Sequence, residues 1–172
     1  MSCLLILLAT LLLASCARNV SEAMEGAEPE LPTMVMEKAS YRFSSPTIAP
    51  IILKAERITI DDKQQQAILS HATFSQTDEE GIQGSSTQIR INTQTHDVAL
   101  EGDVRIMQPS RGFSISATSI SWDNERQVLS SPSDDLVLVT FDGNTIEGVG
   151  FLGDLKHDSY EFAKITQGEV ET

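Results

Sequence analysis

Residues 113–123, Phe-Ser-Ile-Ser-Ala-Thr-Ser-Ile-Ser-Trp-Asp, decide what kind of fold this chain adopts. In the first part of the stretch, apolar residues alternate with hydroxyl-bearing residues, which is the pattern of a β-strand with one buried face. After Ala117 the alternation resumes at Ile120 in the opposite phase. A strand that changes phase turns its apolar side chains to the other face unless it bulges or turns a corner. The stretch therefore predicts one long, bent strand with a bulge near Thr118 or Ser119.

The residues after this strand complete a structural unit that closes at a hairpin turn. Residues 123–126, Asp-Asn-Glu-Arg, have the composition of a turn, and a second strand is predicted around residues 128 and 129. A third strand is predicted at 136–141, where both alternating sets of residues are apolar. This composition predicts burial of both faces of the third strand. The Asp-Gly pair at 142 and 143 predicts the hairpin turn.

The same unit occurs about four times with a period of 31 residues, which indicates one supersecondary element used repeatedly. In each copy a small residue is followed three positions later by a large apolar residue and three positions after that by a turn former. The small residues are Ala55, Ser86, Ala117 and Gly148. The large residues are Ile58, Ile89, Ile120 and Phe151, and the turn formers are Asp61, Asn92, Asp123 and Asp154.

No segment after residue 40 keeps a helical period, so the repeat predicts an all-β fold. About eight long, bent strands are expected to form a β-sandwich or jellyroll that is open along one side. Two explanations fit the small residue of each unit. It lies where backbones approach closely at the corner of the bent strand, or it keeps a groove open for a ligand.

The N-terminal residues have the features of a bacterial lipoprotein signal. Residues 4–13 form an apolar run of ten residues, which is too short to span a bilayer unaided. It leads into Leu-Ala-Ser-Cys at residues 13–16, and small residues after a short apolar run mark a signal-peptide cleavage site. A cysteine at this place resembles the lipobox, in which the thiol of Cys16 receives a diacylglycerol. No Lys or Arg precedes the run, which departs from the usual signal.

These features divide the chain into three segments. We expect a signal peptide at residues 1–15, a lipidated N-terminus with an acidic tether at 16–40, and one β-domain at 41–172. Cleavage removes Cys3 and lipidation occupies Cys16, so the mature chain of about 156 residues has no disulfide framework.

The charge of the chain limits its partners. All 25 acidic residues follow the leader, whereas the whole chain has 12 basic residues and a net charge of −13. This negative charge disfavours binding to nucleic acid and to anionic membrane surfaces. An anionic lipid is therefore expected to place its acyl chains in the protein and its phosphates in water.

No catalytic or metal-binding group of residues can be assembled from the sequence. His71, His96 and His157 fall in different repeat units and lack the spacing of metal ligands. A Gly-x-Ser-x-Gly nucleophile elbow is absent. Residues 148–153 spell Gly-x-Gly-x-x-Gly, but strand-like sequence follows where a dinucleotide site requires a helix. The sequence therefore predicts a protein that is not an enzyme and uses no metal or cofactor.

Residues 113–155 resemble the LptC family, the periplasmic component of the lipopolysaccharide export system. The similarity is carried by 113–123, by Leu-Ser-Ser from residue 129, and by 137–151. Its most specific part is the string Gly-x-x-Ile-x-Gly-x-Gly-Phe, which ends at Phe151. The repeat, which LptA and the periplasmic part of LptD share, extends the similarity back to about Tyr41. LptC proteins usually keep an uncleaved N-terminal helix, and the expected lipid anchor departs from this pattern.

The resemblance implies a V-shaped β-jellyroll with an apolar interior through which lipopolysaccharide, or a similar glycolipid, moves. It implies an inner-membrane ATP-binding cassette transporter and an LptA-like bridge protein as partners. It also implies a location at the periplasmic face of a membrane, the inner membrane of a diderm bacterium. The competing hypothesis is a membrane-anchored β-repeat scaffold that binds protein partners without lipid.

Two sets of residues are candidates for this function, and ordinary core packing is the alternative for each apolar residue. The predicted groove residues are Leu53, Ile58, Ile60, Ile89, Ile91, Phe113, Ile115, Ile120, Trp122, Leu138, Ile146 and Phe151. The predicted interface edges are the strand after Tyr41 and the terminal strand from Tyr160 to Val170. The edge residues are Tyr41, Phe43, Tyr160, Phe162 and Val170.

Overall fold

The computed structural model describes residues 34–45, 48–77, 81–157 and 159–169, and these form ten β-strands and one short 3₁₀ turn. The predicted signal peptide, Cys16 and Val170 lie outside the described residues. The strands are β1 (Met34–Ser45), β2 (Ile48–Asp61), β3 (Gln66–Gln76), β4 (Gln83–Asn92), β5 (Val98–Gln108), β6 (Phe113–Asp123), β7 (Val128–Ser130), β8 (Leu136–Phe141), β9 (Asn144–Asp154) and β10 (Ser159–Glu169). The all-β prediction is confirmed, and β1 begins at Met34, inside the segment expected to be tether.

All ten strands belong to one antiparallel sheet with β1 and β10 at its two ends. Strands β1 to β6 pair in sequence order, and both β7 and β8 then pair with β6 on one side and β9 on the other. These two short strands therefore occupy one strand position that is interrupted at 131–135. Within the described residues β1 pairs with β2 alone and β10 with β9 alone, so the sheet is open. This is the open β-jellyroll that the repeat and the resemblance predict.

The small residues of the repeat lie beside one another where the strands bend. Register pairs join Ala55 to Ala72 and Ala72 to Ser86, and Ala117 is joined through Val137 to Gly148. In β2 both Ala55 and Ile58, three positions apart, are buried, so the inward phase changes between them. We call this line of residues the corner row.

Contacts in the corner row support the interpretation that backbones approach closely there. A Cβ atom on Gly148 would lie 2.6 Å from the carbonyl oxygen of Lys164 in the neighbouring strand. The Ser86 hydroxyl donates to the carbonyl oxygen of Gln88 at 2.7 Å and accepts the N–H of Glu101 at 3.1 Å. A larger side chain would fit at neither place.

Two local predictions need correction. The extra residue at the corner lies in β5, because the three residues 101–103 stand opposite only 118 and 119 of β6. Gly102 has a φ of +74°, which glycine adopts without a steric penalty, so β5 takes the bulge that was predicted for β6. Strand β8 is also not buried on both faces. Its inward residue Val137 is fully buried, but Leu138 is 37% exposed on the outer face, which no described element covers.

The turn formers of the repeat act as predicted. Each accepts a hydrogen bond through its side-chain oxygen from a backbone N–H two or three residues later, at 2.8–3.1 Å. These residues are Asp61, Asn92, Asp123 and Asp154. The side chain thereby supplies the acceptor that fixes the turn. All four turns lie at the same end of the sheet, because each follows one of the strands β2, β4, β6 and β9, which run in the same direction.

Candidate lipid-binding groove

The corner row divides the sheet into two halves that face each other. We call the part between the corner row and the four turns the turn half, and the other part the hairpin half. A cavity of about 420 Å³ lies between them. It is lined by Phe43, Ile51, Leu53, Phe74, Gln76, Ile82, Ile89, Ile91, Val98, Leu100, Ile106, Gln108, Arg111, Phe113, Trp122, Gln127, Leu129, Leu155 and Tyr160.

The predicted groove residues occupy four different environments. Those that line the cavity are Leu53, Ile89, Ile91, Phe113 and Trp122. Those that are buried in the core without lining the cavity are Ile58, Ile115, Ile120 and Phe151. The cavity residues Ile89 and Ile91 are equally buried, at 1% exposure, so exposure alone does not separate the two groups. Ile60 is partly buried against the core. Leu138 and Ile146 are each 37% exposed and do not line the cavity, and they lie on opposite faces of the sheet.

The predicted groove residues do not include the cavity residues on β3 and β5, the strands that lie between those carrying the small residues of the repeat. Phe74 and Ile106 lie on β3 and β5, which run antiparallel to the strands that carry the repeat. Both residues face inward, and Ile106 is the register partner of Ile115. The alternation of apolar residues in β3 and β5 could have identified them. Paired strands share one inward face, so the apolar residues of β3 and β5 must face the same interior as those of their neighbours.

The cavity is apolar inside and has a few polar residues in its lining. The polar members are Gln76, Gln108, Arg111 and Gln127, and Arg111 is the charged residue among the described lining residues. The Gln76 side chain accepts the N–H of Ile82 at 3.1 Å, which fixes it at the wall. An apolar pocket with a few polar groups is the usual form of a site for an amphiphilic small molecule.

The cavity reaches both terminal strands, and in each of them through one aromatic residue. Phe43 is the lining residue from β1, and its ring contacts the ring of His96 at a centroid distance of 5.4 Å. Tyr160 is the lining residue from β10, and its ring stacks on Phe113 at 5.4 Å and on Phe151 at 6.3 Å. The contacts with His96 and with Phe113 join each terminal strand to a turn or strand that is not its neighbour in the sheet.

The predicted edge strands are therefore the two ends of the sheet, but most of their named side chains point inward. Phe43 is 7% exposed. Tyr41 and Phe162 are partly buried against the core. Tyr160 is 39% exposed and lines the cavity. Within the described residues, the outer backbone edges of β1 and β10 have no pairing strand, whereas most of these aromatic rings face the interior.

The histidines lie apart from one another in separate local contacts. His71 lies 3.4 Å from Glu56, His96 packs on Phe43, and His157 contacts the Asp154 carboxylate at 2.7 Å. The side-chain hydrogen bond to His157 lowers the pKa of Asp154. The described part of the chain holds no group of three or more His, Cys, Asp and Glu side chains arranged for a metal ion.

One further structural finding concerns membranes. Within the described ranges, no helix has the length and apolar character that crossing a bilayer requires.

Comparison with known proteins identifies the family. The model of a family described as lipopolysaccharide-assembly, LptC-related, matches residues 2–171. No curated protein matches the chain. Among solved structures, it is similar to LptH of Pseudomonas aeruginosa, an LptA-homologous periplasmic component of the lipopolysaccharide transport device. The TM-score is 0.40 at 15% identity, over 60% of this chain and 84% of that one. The match along nearly the whole sequence shows that this chain belongs to the LptC-related family of lipopolysaccharide-assembly proteins.

Proposed function

We propose that this protein receives lipopolysaccharide, or a similar glycolipid, from an inner-membrane ATP-binding cassette transporter and passes it to an LptA-like jellyroll protein. Membership of the LptC-related family associates the chain with lipopolysaccharide transport in the periplasm. The observation that carries the proposal is the apolar cavity between the two halves of an open sheet. This cavity reaches both terminal strands, at Phe43 and at Tyr160.

The energetic reason for such a cavity is the cost of exposing acyl chains to water. A chain of about a dozen methylenes, at roughly 0.8 kcal/mol each, opposes transfer into water by about 10 kcal/mol. A lipid with several chains therefore needs apolar walls along its whole path. Residues such as Leu53, Ile91 and Trp122 supply these walls. A polar headgroup stays outside, in keeping with the acidic character of the chain.

The terminal strands provide the means of joining neighbours. The outer edge of β1 and the outer edge of β10 each lack a pairing strand within the described residues. A partner strand can add to such an edge through backbone hydrogen bonds and continue the sheet. We assign β1 to the transporter side and β10 to the next bridge protein. The cavity then continues from one protein into the next.

A lipid anchor at Cys16 would hold the protein at the membrane while its partners pass lipid along. The proposal rests on the sequence Leu-Ala-Ser-Cys at residues 13–16. We expect Cys16→Ser to move the protein from the membrane pellet to the soluble fraction. An unchanged distribution between pellet and supernatant would contradict the anchor and leave the groove proposal standing.

The central test is a photocrosslinking amino acid at Trp122, which lines the cavity. Ile120 is unsuitable, because it is 1% exposed and does not line the cavity. Ser121 is the matched control, because it is next to Trp122 in β6 and is exposed on the opposite face of the sheet. Irradiation of cells is expected to give a lipopolysaccharide adduct at 122 and none at 121. Protein crosslinks without lipid at 122, in a folded protein, would favour the scaffold function.

A further inference from the structure

The inner face of the sheet continues beyond the cavity and becomes exposed toward β10. Register pairs join Ile115 of β6 to Val139 of β8, and Val139 to Ile146 of β9, so these three residues share the inner face. Their exposure rises along this row from 0% to 7% to 37%. The same face carries Phe141, two positions after Val139 and 47% exposed. It also carries Ile165, which pairs with the buried Gly148 and is 59% exposed.

None of the three exposed residues Phe141, Ile146 and Ile165 lines the cavity. Two lining residues of the cavity, Phe113 of β6 and Tyr160 of β10, have rings stacked at 5.4 Å with an interplanar angle of 29°. Phe113 lies beside the end of β8 that carries Phe141, because the next residue, Ser114, pairs with Thr140. The ring pair joins β6 to β10, and none of the described residues of β8 and β9 between them lines the cavity.

We infer that Phe141, Ile146 and Ile165 form a second acyl-chain site, the outer step, which is separated from the cavity by the Phe113–Tyr160 pair. This inference rests on the proposed transport function and adds a division of the path into two compartments. An acyl chain that leaves the cavity passes Tyr160, reaches the outer step, and remains on apolar surface. Tyr160 is the positioning residue that determines how fast this passage occurs.

Continuity with the cavity identifies the occupant as an acyl chain of the transported lipid. The outer step lies on the same face of the same strands as the core residues Ile115 and Val139. A protein strand that extends the sheet at β10 pairs with its backbone edge and leaves the inner face uncovered. The outer step therefore faces the ligand path both before and after a partner joins.

The chain offers a closely matched pair of positions for the test. Ile146 and Leu138 are both 37% exposed, both are large and apolar, and they lie on adjacent strands. Ile146 is the register partner of the inward Val139, whereas Leu138 points to the outer face. A photocrosslinking amino acid is placed at each position, in the full chain in cells that make lipopolysaccharide. We expect lipid adducts at 146 at least tenfold above those at 138.

The outcomes at positions 122, 138 and 146 separate this inference from the proposed function. Adducts at 122 without adducts at 146 would overturn the outer step and leave the transport function intact. Equal adducts at 138 and 146 would also overturn it, because they would show contact with lipid independent of the face. Absence of adducts at all three positions would refute the transport function itself.

The role of Tyr160 is tested by removing its ring. Tyr160→Ala is expected to speed the release of prebound rough lipopolysaccharide from the purified full chain by fivefold or more. Tyr160→Phe keeps the ring and is expected to release the lipid at least threefold more slowly than Tyr160→Ala. If the alanine variant does not fold, Phe113→Leu removes the other ring of the pair and is expected to speed release likewise. Unchanged release rates in the folded ring-removal variants would overturn the division into two compartments.

Discussion

Replacement of Gly148 by alanine tests whether the corner row holds the terminal strand. The added Cβ atom would lie 2.6 Å from the Lys164 carbonyl oxygen and 2.6 Å from Cδ1 of Phe162. The ring of Phe162 can rotate away, but the carbonyl oxygen belongs to the backbone of β10. Relief of that contact therefore requires β9 and β10 to move apart, which weakens the pairing of β10 with the sheet.

The size of the effect follows from two opposing terms. Overpacking in a well-packed site costs about 1–3 kcal/mol, whereas replacing glycine with alanine stabilises by about 0.4–1 kcal/mol through the unfolded state. Gly168→Ala is the matched control in the same strand pair, because its nearest neighbour would be the Thr145 carbonyl oxygen at 4.0 Å. The entropic term is similar at both positions. We therefore expect Gly148→Ala to be less stable than Gly168→Ala by about 1–3 kcal/mol.

Thermal unfolding and hydrogen exchange measure this difference. For a chain of this size, 1 kcal/mol changes the melting temperature by about 2–4 °C. If β10 detaches before the rest unfolds, the loss appears instead as faster exchange of the backbone amides of β9 and β10. Equal melting temperatures and equal exchange in the two variants would refute the reasoning. Gly148→Arg is expected to be worse, because it adds a charge at the same buried position.

Two other predictions concern single hydrogen bonds. Ser86→Ala leaves the part-buried N–H of Glu101 without its acceptor and should cost about 1–3 kcal/mol in denaturant unfolding. Ser85→Ala, its neighbour on the outer face, should stay within about 0.5 kcal/mol of wild type, and equal losses would contradict this assignment. Asp154 should titrate below its ordinary pKa of 3.8 by NMR, chiefly because of the His157 side-chain hydrogen bond. The ionised Asp154 then stabilises the folded protein at pH values above 3.8, and this stabilisation is lost as the pH falls through the lowered pKa. His157→Ala should raise the pKa, and an unchanged pKa would contradict the assigned cause.

The repeat made most of the fold predictable because it records a local geometry that recurs at every corner. Each repeat contains a small residue, a large residue three positions later and then a turn former. This pattern is that of a strand that bends at the small residue, changes its inward phase and ends at the turn. Ala55, Ser86, Ala117 and Gly148 lie in the predicted line. The position of the bulge was not predictable from β6 alone. It depends on the neighbouring strand, where Gly102 accepts a positive φ.

The depth of each inward side chain was not predictable, because alternation gives the face of a residue and not what covers that face. Trp122 lines the cavity, whereas Ile120, two positions earlier on the same face, is closed into the core. The difference arises from the packing of the opposite half of the sheet. That half comes from residues distant in sequence, and no local pattern in β6 records it.

The register between strands decides which face of the sheet a half-exposed apolar residue occupies, as β8 and β9 show. Leu138 and Ile146 have the same exposure and were predicted to play the same role. The pairing of Val139 with Ile146 places Ile146 on the inner face and leaves Leu138 on the outer face. Because successive residues of a strand alternate between faces, a shift of one residue in this pairing would exchange their positions. Two residues with the same exposure therefore face opposite ways: Ile146 lies on the inner face, where we propose that an acyl chain passes, and Leu138 lies on the outer face, away from that proposed path.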